Sequence, residues 1–221
     1  MHYFIDTNVA LGYTVIHDKM HPESEKFIRE TSEDIFWSNL VKEEYSFKLN
    51  DIEDSIDFFL KRTKLILKNN EQDFVNYYEF EKFILKRTKN CDLDKFKKQK
   101  ILENFWNKYN FSDGISEIIL SKFNEFTREF EKIYSKRDDN LNSTLKLHNC
   151  GLKNYLKYYG YAEKLYKWGV HKPDCKIITD AHDCGLAHDE MVFVSNDAEM
   201  IEKIANHDTS FLKIIEFKTC T

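Results

Sequence analysis

Phe4-Ile5-Asp6-Thr7-Asn8, near the start of the chain, carries the first sign of the fold class. Its apolar residues continue a short run that predicts a buried strand. Asp6 follows where this strand should end, and open α/β sheets bind ligands outside the carboxyl ends of their strands. Asp, Thr and Asn also cap helices and turns readily. The pentapeptide therefore leaves two interpretations of Asp6 open, a cap and a member of a cation site.

A second strand followed by an aspartate is predicted near the other end of the chain. Met191–Val194 is a short apolar run, and Ser195, Asn196 and Asp197 come directly after it. If the two strands are parallel neighbours, Asp6 and Asp197 lie side by side. Because sheet strands come from both ends of the chain, we predict an α/β fold whose middle segment is an insertion.

Short patterns around these strands predict the rest of the sheet domain. Apolar runs at Ile35–Trp37 and Phe211–Ile215 predict two further strands, and residues 198–206 predict a helix. Pro22 suits the first turn of a helix that runs to about Thr31. These elements place helices on a mostly parallel sheet.

Glu44 is the third acid predicted to lie at the edge of the sheet. Ser38 should cap a helix that begins at Asn39 and ends near Leu49. On this helix Glu44 shares a face with Leu40 at the i, i+4 spacing. The neighbouring Glu43 is an alternative, but it lies off that apolar face.

Asp174 is the fourth acid. It stands in the first turn of a helix predicted from Pro173 to Gly185, a residue typical of the position after a helix C-terminus. Ile178 and Ala181 follow Asp174 at i+4 and i+7, so the face that carries it should pack on the sheet.

Four carboxylates in one place predict a metal site. Like charges raise one another's pKa unless a cation shares the site. Oxygen ligands favour Mg²⁺ or Mn²⁺ over zinc. Such an ion can orient a water and stabilise charge on a phosphoryl oxygen, so the expected chemistry is phosphodiester hydrolysis without a covalent enzyme intermediate.

The four motifs, in this order along the chain, resemble those of the PIN-domain nucleases. The resemblance covers residues 1–50 and 168–217 and implies a central parallel sheet flanked by helices. It implies a set of catalytic, metal-binding acids: Asp6, Glu44, Asp174 and Asp197. It also implies that Asn8 contacts the water shell of the metal and that Ser195 orients Asp197.

Two further acids belong to the same predicted helix as Asp174. Asp180 and Asp183 lie on other faces of that helix. Either is a possible extra ligand, Asp180 in particular, although a solvated position is the simpler expectation.

The middle of the chain is predicted to be an all-helical insertion, residues 51–167, within a discontinuous domain formed by residues 1–50 and 168–221. Apolar and aromatic residues recur there at helical spacing, which favours a helix-bundle core over a cofactor site. The sequence predicts four or five helices with breaks near residues 69–70, 90–91, 110–114 and 138–142.

The charge of the chain is unevenly distributed. Residues 51–170 hold 23 basic and 19 acidic side chains, whereas the flanks together hold 10 and 19. The strongest basic run lies at residues 82–100, with phenylalanines interleaved. A run of this kind is either a solvated helix face or a phosphate-binding surface. The candidate contacts to nucleic acid are Lys86, Arg87, Lys97 and Lys98.

Histidines and cysteines crowd into one short segment and raise the alternative of a zinc site. The residues are His171, Cys175, His182, Cys184 and His188. No CxxC pair is present, and positions 175, 182 and 184 do not converge on one helix face. We therefore interpret them as scattered core and surface residues.

The composition of the chain indicates in which cellular compartment the protein is expected. The five cysteines are an odd, scattered set, which favours a reducing environment over a disulfide framework. No apolar run approaches the ~20 residues of a membrane helix. With no signal peptide recognised, the expected location is the cytoplasm.

The leading hypothesis is an Mg²⁺- or Mn²⁺-dependent endoribonuclease, of a toxin or an RNA-processing type, whose partners are RNA and a possible antitoxin or other protein. RNA rather than DNA is what the resemblance implies. Two alternatives stay open: a non-catalytic RNA-binding or scaffold protein on the same fold, and a structure-specific DNA nuclease that uses the insertion as a clamp. Neither the oligomeric state nor the number of metal ions follows from the sequence.

Overall fold

The computed structural model describes residues 1–70, 72–111, 116–149 and 156–220, and its fold class is α/β. Five parallel strands form one sheet in the order β3-β2-β1-β4-β5. The strands are β1 (His2–Ile5), β2 (Ile35–Ser38), β3 (Lys146–His148), β4 (Met191–Val194) and β5 (Glu216–Lys218). The helices are α1 (Thr7–Thr14), α2 (His21–Glu30), α3 (Asn39–Lys68), α4 (Tyr77–Arg87), α5 (Lys95–Lys108), α6 (Ser116–Thr144), α7 (Tyr159–Lys167), α8 (Lys172–Ala187) and α9 (Ala198–Ala205).

The three central strands are the predicted apolar runs. Every residue of β2 and β4 is buried, as are three of the four in β1. Parallel strands covered by helices on both faces need apolar side chains at successive positions, which accounts for these runs. Phe4 and Phe193 stack across β1 and β4 with ring centroids 6.3 Å apart.

The strand order places the switch point of the sheet between β1 and β4. From β1 the chain proceeds to β2 and β3 on one side, and β4 returns to the other side of β1. Ile5 pairs with Val194 in a parallel register, so the residues after both strands leave at the same edge. This is the crevice in which open α/β sheets bind ligands.

The described chain divides into two compact units. One unit contains the sheet and comprises Met1–Ile16, Met20–Phe47 and Asp138–Thr221. The other is helical and comprises His17–Lys19 and Lys48–Arg137. The predicted aromatic core of the helical segment is confirmed, since the Phe105 ring contacts the rings of Phe80, Phe123 and Phe126 at centroid distances of 5.0–5.8 Å.

Two helices are longer than predicted. α3 runs 30 residues to Lys68 instead of ending near Leu49, and α6 continues through the break predicted at residues 138–142. No Gly or Pro interrupts either stretch, so Asn and Asp alone do not end these helices. The breaks near 69–70 and 90–91 are confirmed. Of the break predicted at 110–114, residues 110–111 are not helical, and positions 112–114 lie outside the described residues.

Two strand assignments are also corrected. β3 lies inside the segment predicted to be all-helical, and it went unrecognised because it is a three-residue edge strand without an apolar run. The predicted strand at residues 211–215 is a series of turns, and β5 follows it. Leu212 and Ile214 are buried in these turns. Their apolar side chains pack in the core, and in the sequence they resemble the alternating pattern of a strand.

Gly185 lies within α8 rather than after its end, because the helix continues to Ala187. A Cβ atom at this position would lie 2.0 Å from the backbone oxygen of Lys213. The glycine therefore permits a close approach between α8 and the segment before β5. Among the described residues no helix is long and apolar enough to cross a membrane.

We expect Gly185→Ala to destabilise the protein by about 1–3 kcal/mol, because the Lys213 backbone must move to admit the methyl group. Thermal unfolding should show a Tm lower by roughly 2–4 °C per kcal/mol. Gly160→Ala is the matched control, since nothing lies within 4 Å of a Cβ there and alanine favours a helix. Equal Tm values for the two variants would contradict the close approach.

Candidate active site

Asp6 lies at the switch point and is almost completely buried, with 5% of its surface exposed. It is the N-cap residue of α1, and its Oδ1 accepts a hydrogen bond from the Thr7 backbone N–H at 2.6 Å. Its Oδ2 accepts one from the Ser195 hydroxyl at 2.8 Å. The capping interpretation of Asp6 is thus confirmed, and the same carboxylate faces the strand end of β4.

The surroundings of Asp6 raise its pKa to about 7, from an ordinary value of 3.8. Burial is the largest cause, and the negative charges of Asp174 and Glu44 add to it. Hydrogen bonds from Ser195 and Thr7 act in the opposite direction but do not cancel these effects. Three of the four predicted acids therefore interact electrostatically in the folded chain.

Glu44 is connected to Asp6 through Thr7. The Thr7 hydroxyl donates a hydrogen bond to Glu44 Oε2 at 2.9 Å. Ser38 caps α3 as predicted, since its Oγ accepts from the Val41 backbone N–H at 3.3 Å. Glu44 is half-buried, whereas the adjacent Glu43 is exposed. The choice of Glu44 over Glu43 agrees with these contacts.

Asp197 and Asp174 are both half-buried and both begin helices. Asp197 is the N-cap residue of α9, and its Oδ1 accepts from the Met200 backbone N–H at 2.9 Å. Asp174 lies in the first turn of α8. We call Asp6, Glu44, Asp174 and Asp197 the acidic site.

Ser195 was expected to orient Asp197, but its hydroxyl binds the carboxylate of Asp6 instead. Its hydroxyl donates to Asp6, and it accepts from the Asp197 backbone N–H and the Asn8 side-chain amide, each at 3.1 Å. The Asn8 side-chain oxygen Oδ1 accepts from the Asn196 backbone N–H at 2.8 Å. Asn8 and Ser195 thus join the first turn of α1 to the end of β4.

Asp180 is buried, contrary to the simpler expectation of a solvated position, and Asp183 is partly covered. Asp180 is 1% exposed. Asp183 is half-buried, with its Oδ2 3.1 Å from His148 Nε2 and its Oδ1 accepting from the Tyr158 hydroxyl at 2.8 Å. Helix α8 lies against β2, β4 and α7, so most of its surface is covered.

The basic run contributes fewer free cations than predicted. Lys98 is 6% exposed, and its ammonium donates to the backbone oxygens of Thr88 and Cys91 at 3.1 and 2.7 Å. Lys97 bridges Asp18 and Asp94 at 3.0 and 2.9 Å. Burial lowers the pKa of Lys97, but these two partners outweigh it and raise the pKa.

Both lysines therefore stabilise their own unit rather than face a phosphate. Lys86 and Arg87 are exposed, and the Arg87 guanidinium lies 3.6 Å from the centre of the Phe83 ring.

A groove beside α4 gathers other lysines of the same run. Lys82, Lys86, Lys89 and Lys95 are exposed and line it together with Tyr78, which is 67% exposed. We call these four lysines the basic groove. The i, i+4 spacing of Lys82 and Lys86 was a signal in the sequence, but the alignment with Lys95 depends on how α5 packs.

A cluster of histidine and cysteine assembles elsewhere in the sheet-containing unit. His148, Cys184 and His188 each offer a ligand atom, and these atoms all lie within 4.8 Å of one another. This is the one such group of three in the part of the chain that the structure describes. Two members belong to the crowded segment, and the third comes from β3, which the sequence analysis did not recognise. We call it the His-Cys-His cluster.

The other members of the crowded segment have separate roles. His182 is buried, its Nδ1 accepts from the Lys213 backbone N–H at 2.8 Å, and burial lowers its pKa. The Cys175 thiol contacts the Val170 carbonyl oxygen at 3.5 Å. Their interpretation as core residues is confirmed, whereas Cys184 and His188 need another account.

The chain matches no protein-family model, no curated protein and no solved structure. Its resemblance to the PIN-domain nucleases therefore stays a prediction from the residues.

Proposed function

We propose that this protein is an Mg²⁺- or Mn²⁺-dependent nuclease that hydrolyses phosphodiester bonds of RNA on a PIN-like fold. One observation carries the proposal. A buried aspartate stands at the switch point of a parallel sheet, and the charges of two other carboxylates act on it. Burying a carboxylate beside other carboxylates is costly, and a cation bound among them would compensate their charge.

The oxygen atoms that the acidic site offers as metal ligands suit a hard divalent cation. The groups that act on Asp6 are two carboxylates, a hydroxyl and a backbone amide, and none is cationic. Each carboxylate oxygen of Asp6 accepts one hydrogen bond and keeps a lone pair for a further partner. Oxygen-only ligands are those that Mg²⁺ and Mn²⁺ prefer.

Thr7 and Ser195 hold the carboxylates in place. Thr7 donates to Asp6 through its backbone N–H and to Glu44 through its hydroxyl, so one residue sets the spacing of two acids. Ser195 fixes the second oxygen of Asp6. Carboxylates that are positioned before the substrate arrives need little reorganisation during the reaction.

The four acids differ in solvent exposure, and we assign them different roles on that basis. Asp6 is closed to solvent, whereas Glu44, Asp174 and Asp197 are half-buried and remain accessible to a water and a phosphate. A bound cation would lower the pKa of that water and stabilise charge on a phosphoryl oxygen. The half-buried carboxylates would orient the attacking water in line with the scissile bond.

The proposal is tested by incubating the purified protein with single-stranded and structured RNA and DNA, in Mg²⁺, in Mn²⁺ and in EDTA. We expect RNA cleavage with either metal, none in EDTA, and recovery when Mn²⁺ is added back. Cleavage confined to DNA would correct the substrate. Absence of cleavage by a folded protein with both metals would contradict the proposal and favour a non-catalytic RNA-binding role.

The basic groove supports a single-stranded nucleic acid as the substrate, since it combines four exposed lysines with the exposed Tyr78, on whose ring a base can stack. Replacing the four lysines by Gln should weaken RNA binding for all sequences. The plot of log affinity against log salt should flatten by about 0.7 for each lost contact to a single strand. Filter binding over a salt series measures both, and the cleavage rate at saturating RNA should stay unchanged.

The matched control removes the same charge from other exposed lysines of the helical unit. Its substitutions are Lys64→Gln, Lys68→Gln, Lys132→Gln and Lys136→Gln. If this control flattens the salt plot as much as the groove variant does, the basic groove is not the binding surface.

A further inference from the structure

The His-Cys-His cluster joins an edge strand to the end of a helix. His148 is the last residue of β3, Cys184 lies in the final turns of α8, and His188 is the residue that ends that helix. Cys184 and His188 are four residues apart, so their side chains lie on one side of the helix end. Cys184 is fully buried, and both histidines are half-buried.

The contacts around the cluster hold both imidazole rings. His188 stacks on Phe36 with ring centroids 4.6 Å apart. His148 Nε2 lies 3.1 Å from Asp183, which is itself held by the Tyr158 hydroxyl at 2.8 Å. Carboxylates that hold metal-binding histidines in this way fix the orientation and the tautomer of the ring. The cluster thus has ligands and, behind one of them, an orienting group.

We propose that the His-Cys-His cluster binds one zinc ion. Two imidazole nitrogens and one thiolate form a borderline-soft donor set, which suits zinc and not Mg²⁺. Tetrahedral zinc with bonds of about 2.0–2.3 Å sets its ligand atoms roughly 3.3–3.6 Å apart. The three atoms lie within 4.8 Å of one another, so small side-chain rotations bring them onto one ion.

On binding, the Cys184 thiol releases its proton to solvent and the sulfur forms the bond to zinc, with no change of oxidation state. A water completes the tetrahedron. The site is therefore a three-ligand zinc site with one exchangeable position.

The zinc site is separate from the acidic site, although both use α8. Asp174 and Cys184 are ten residues apart on this helix, or about 15 Å at the rise of an α-helix. The zinc ion would fasten β3, whose three residues are exposed or half-buried, to the helix that carries Asp174. Such an ion would hold β3 against this helix whether or not the acidic site cleaves RNA.

The test uses the full chain without an affinity tag. Elemental analysis after zinc loading and dialysis should give one zinc per chain. Loading with Co²⁺ instead should produce visible d–d bands and a thiolate-to-cobalt charge-transfer band, which only a sulfur ligand gives. A folded protein that retains no zinc, or a cobalt form without the thiolate band, would overturn the proposal.

Variants locate the ion. Cys184→Ser should abolish the charge-transfer band, and His188→Gln, at a half-buried position that tolerates a polar side chain, should lower zinc affinity at least 100-fold. Asp183→Asn should lower it by about 10–100-fold through the His148 ring. Circular dichroism establishes that each variant is folded.

The controls are matched by residue type and by helix. Cys175→Ser removes a buried thiol of α8 outside the cluster, and His171→Gln removes an exposed imidazole at its start. Both should keep one zinc per chain, as should Asp6→Asn in the acidic site. Zinc binding that persists in His188→Gln and Cys184→Ser but is lost in a control would refute the assignment.

Discussion

Asp6→Asn should abolish metal-dependent cleavage, with a loss on the order of 10³-fold or more in kcat/KM. The substitution keeps the size of the side chain and leaves an oxygen to accept from the Thr7 backbone N–H, so α1 stays capped. It removes the negative charge at the centre of the acidic site, on which cation binding depends. Cleavage of a labelled RNA in Mn²⁺, measured for folded wild-type and variant protein, tests this directly.

Two neighbouring glutamates provide the internal comparison. Glu44→Gln removes the charge of the carboxylate that Thr7 holds and should also cripple cleavage. Glu43→Gln makes the same chemical change one residue away, at an exposed position, and should leave activity within a few-fold of wild type. Full activity of Asp6→Asn would contradict the proposed function. A defect in Glu43→Gln with an active Glu44→Gln would mean that the wrong face of α3 had been chosen.

The metal-free protein should lose stability as the pH rises from about 4 to about 7. Asp6 has an ordinary pKa of 3.8 when unfolded and about 7 when folded, so the folded state binds the extra proton between these values. Stability then falls with pH, because the unfolded state gives up its proton first. A shift of about three units corresponds to roughly 4 kcal/mol, lost progressively over this window.

Asp6→Asn should remove this loss, so that the metal-free variant is more stable than wild type at pH 8 and similar to it near pH 4. Urea unfolding in EDTA at both pH values measures the difference. Asp139→Asn is the control, since that carboxylate is exposed and the same charge is removed. Mn²⁺ should restore stability to wild type at pH 8 and not to Asp6→Asn. A wild-type protein as stable at pH 8 as at pH 5 in EDTA would contradict the raised pKa.

The acidic site was predictable because each of its residues is marked by a pattern within a few neighbouring residues of the sequence. Apolar runs identified β1 and β4, and each is followed by a polar segment that contains an aspartate. Once both strands are parallel and adjacent, Asp6 and Asp197 must leave the sheet at one edge. The cap at Ser38 and the helix spacing of Glu44 were equally local signals.

The burial of individual charged side chains was not predictable, because it depends on which elements pack against them in the folded chain. Lys98 belongs to a run of cations, but its ammonium is buried against the oxygens of Thr88 and Cys91. Asp180 has the spacing of a surface residue, but it lies on a helix covered on several sides. Burial of these charges is a property of the assembled core.

The sequence by itself determined the α/β class, the central strands and the edge at which the segments with Asp6 and Asp197 leave the sheet, because hydrophobic periodicity and strand ends are encoded within a few residues. Only the tertiary structure decided that β3 joins the sheet beside β2 and brings His148 to Cys184 and His188. That strand is too short and too polar to be recognised from the sequence. Cys184 and His188 lie 36 and 40 residues after His148 along the chain. Contacts at such separations arise from packing, which local patterns do not encode.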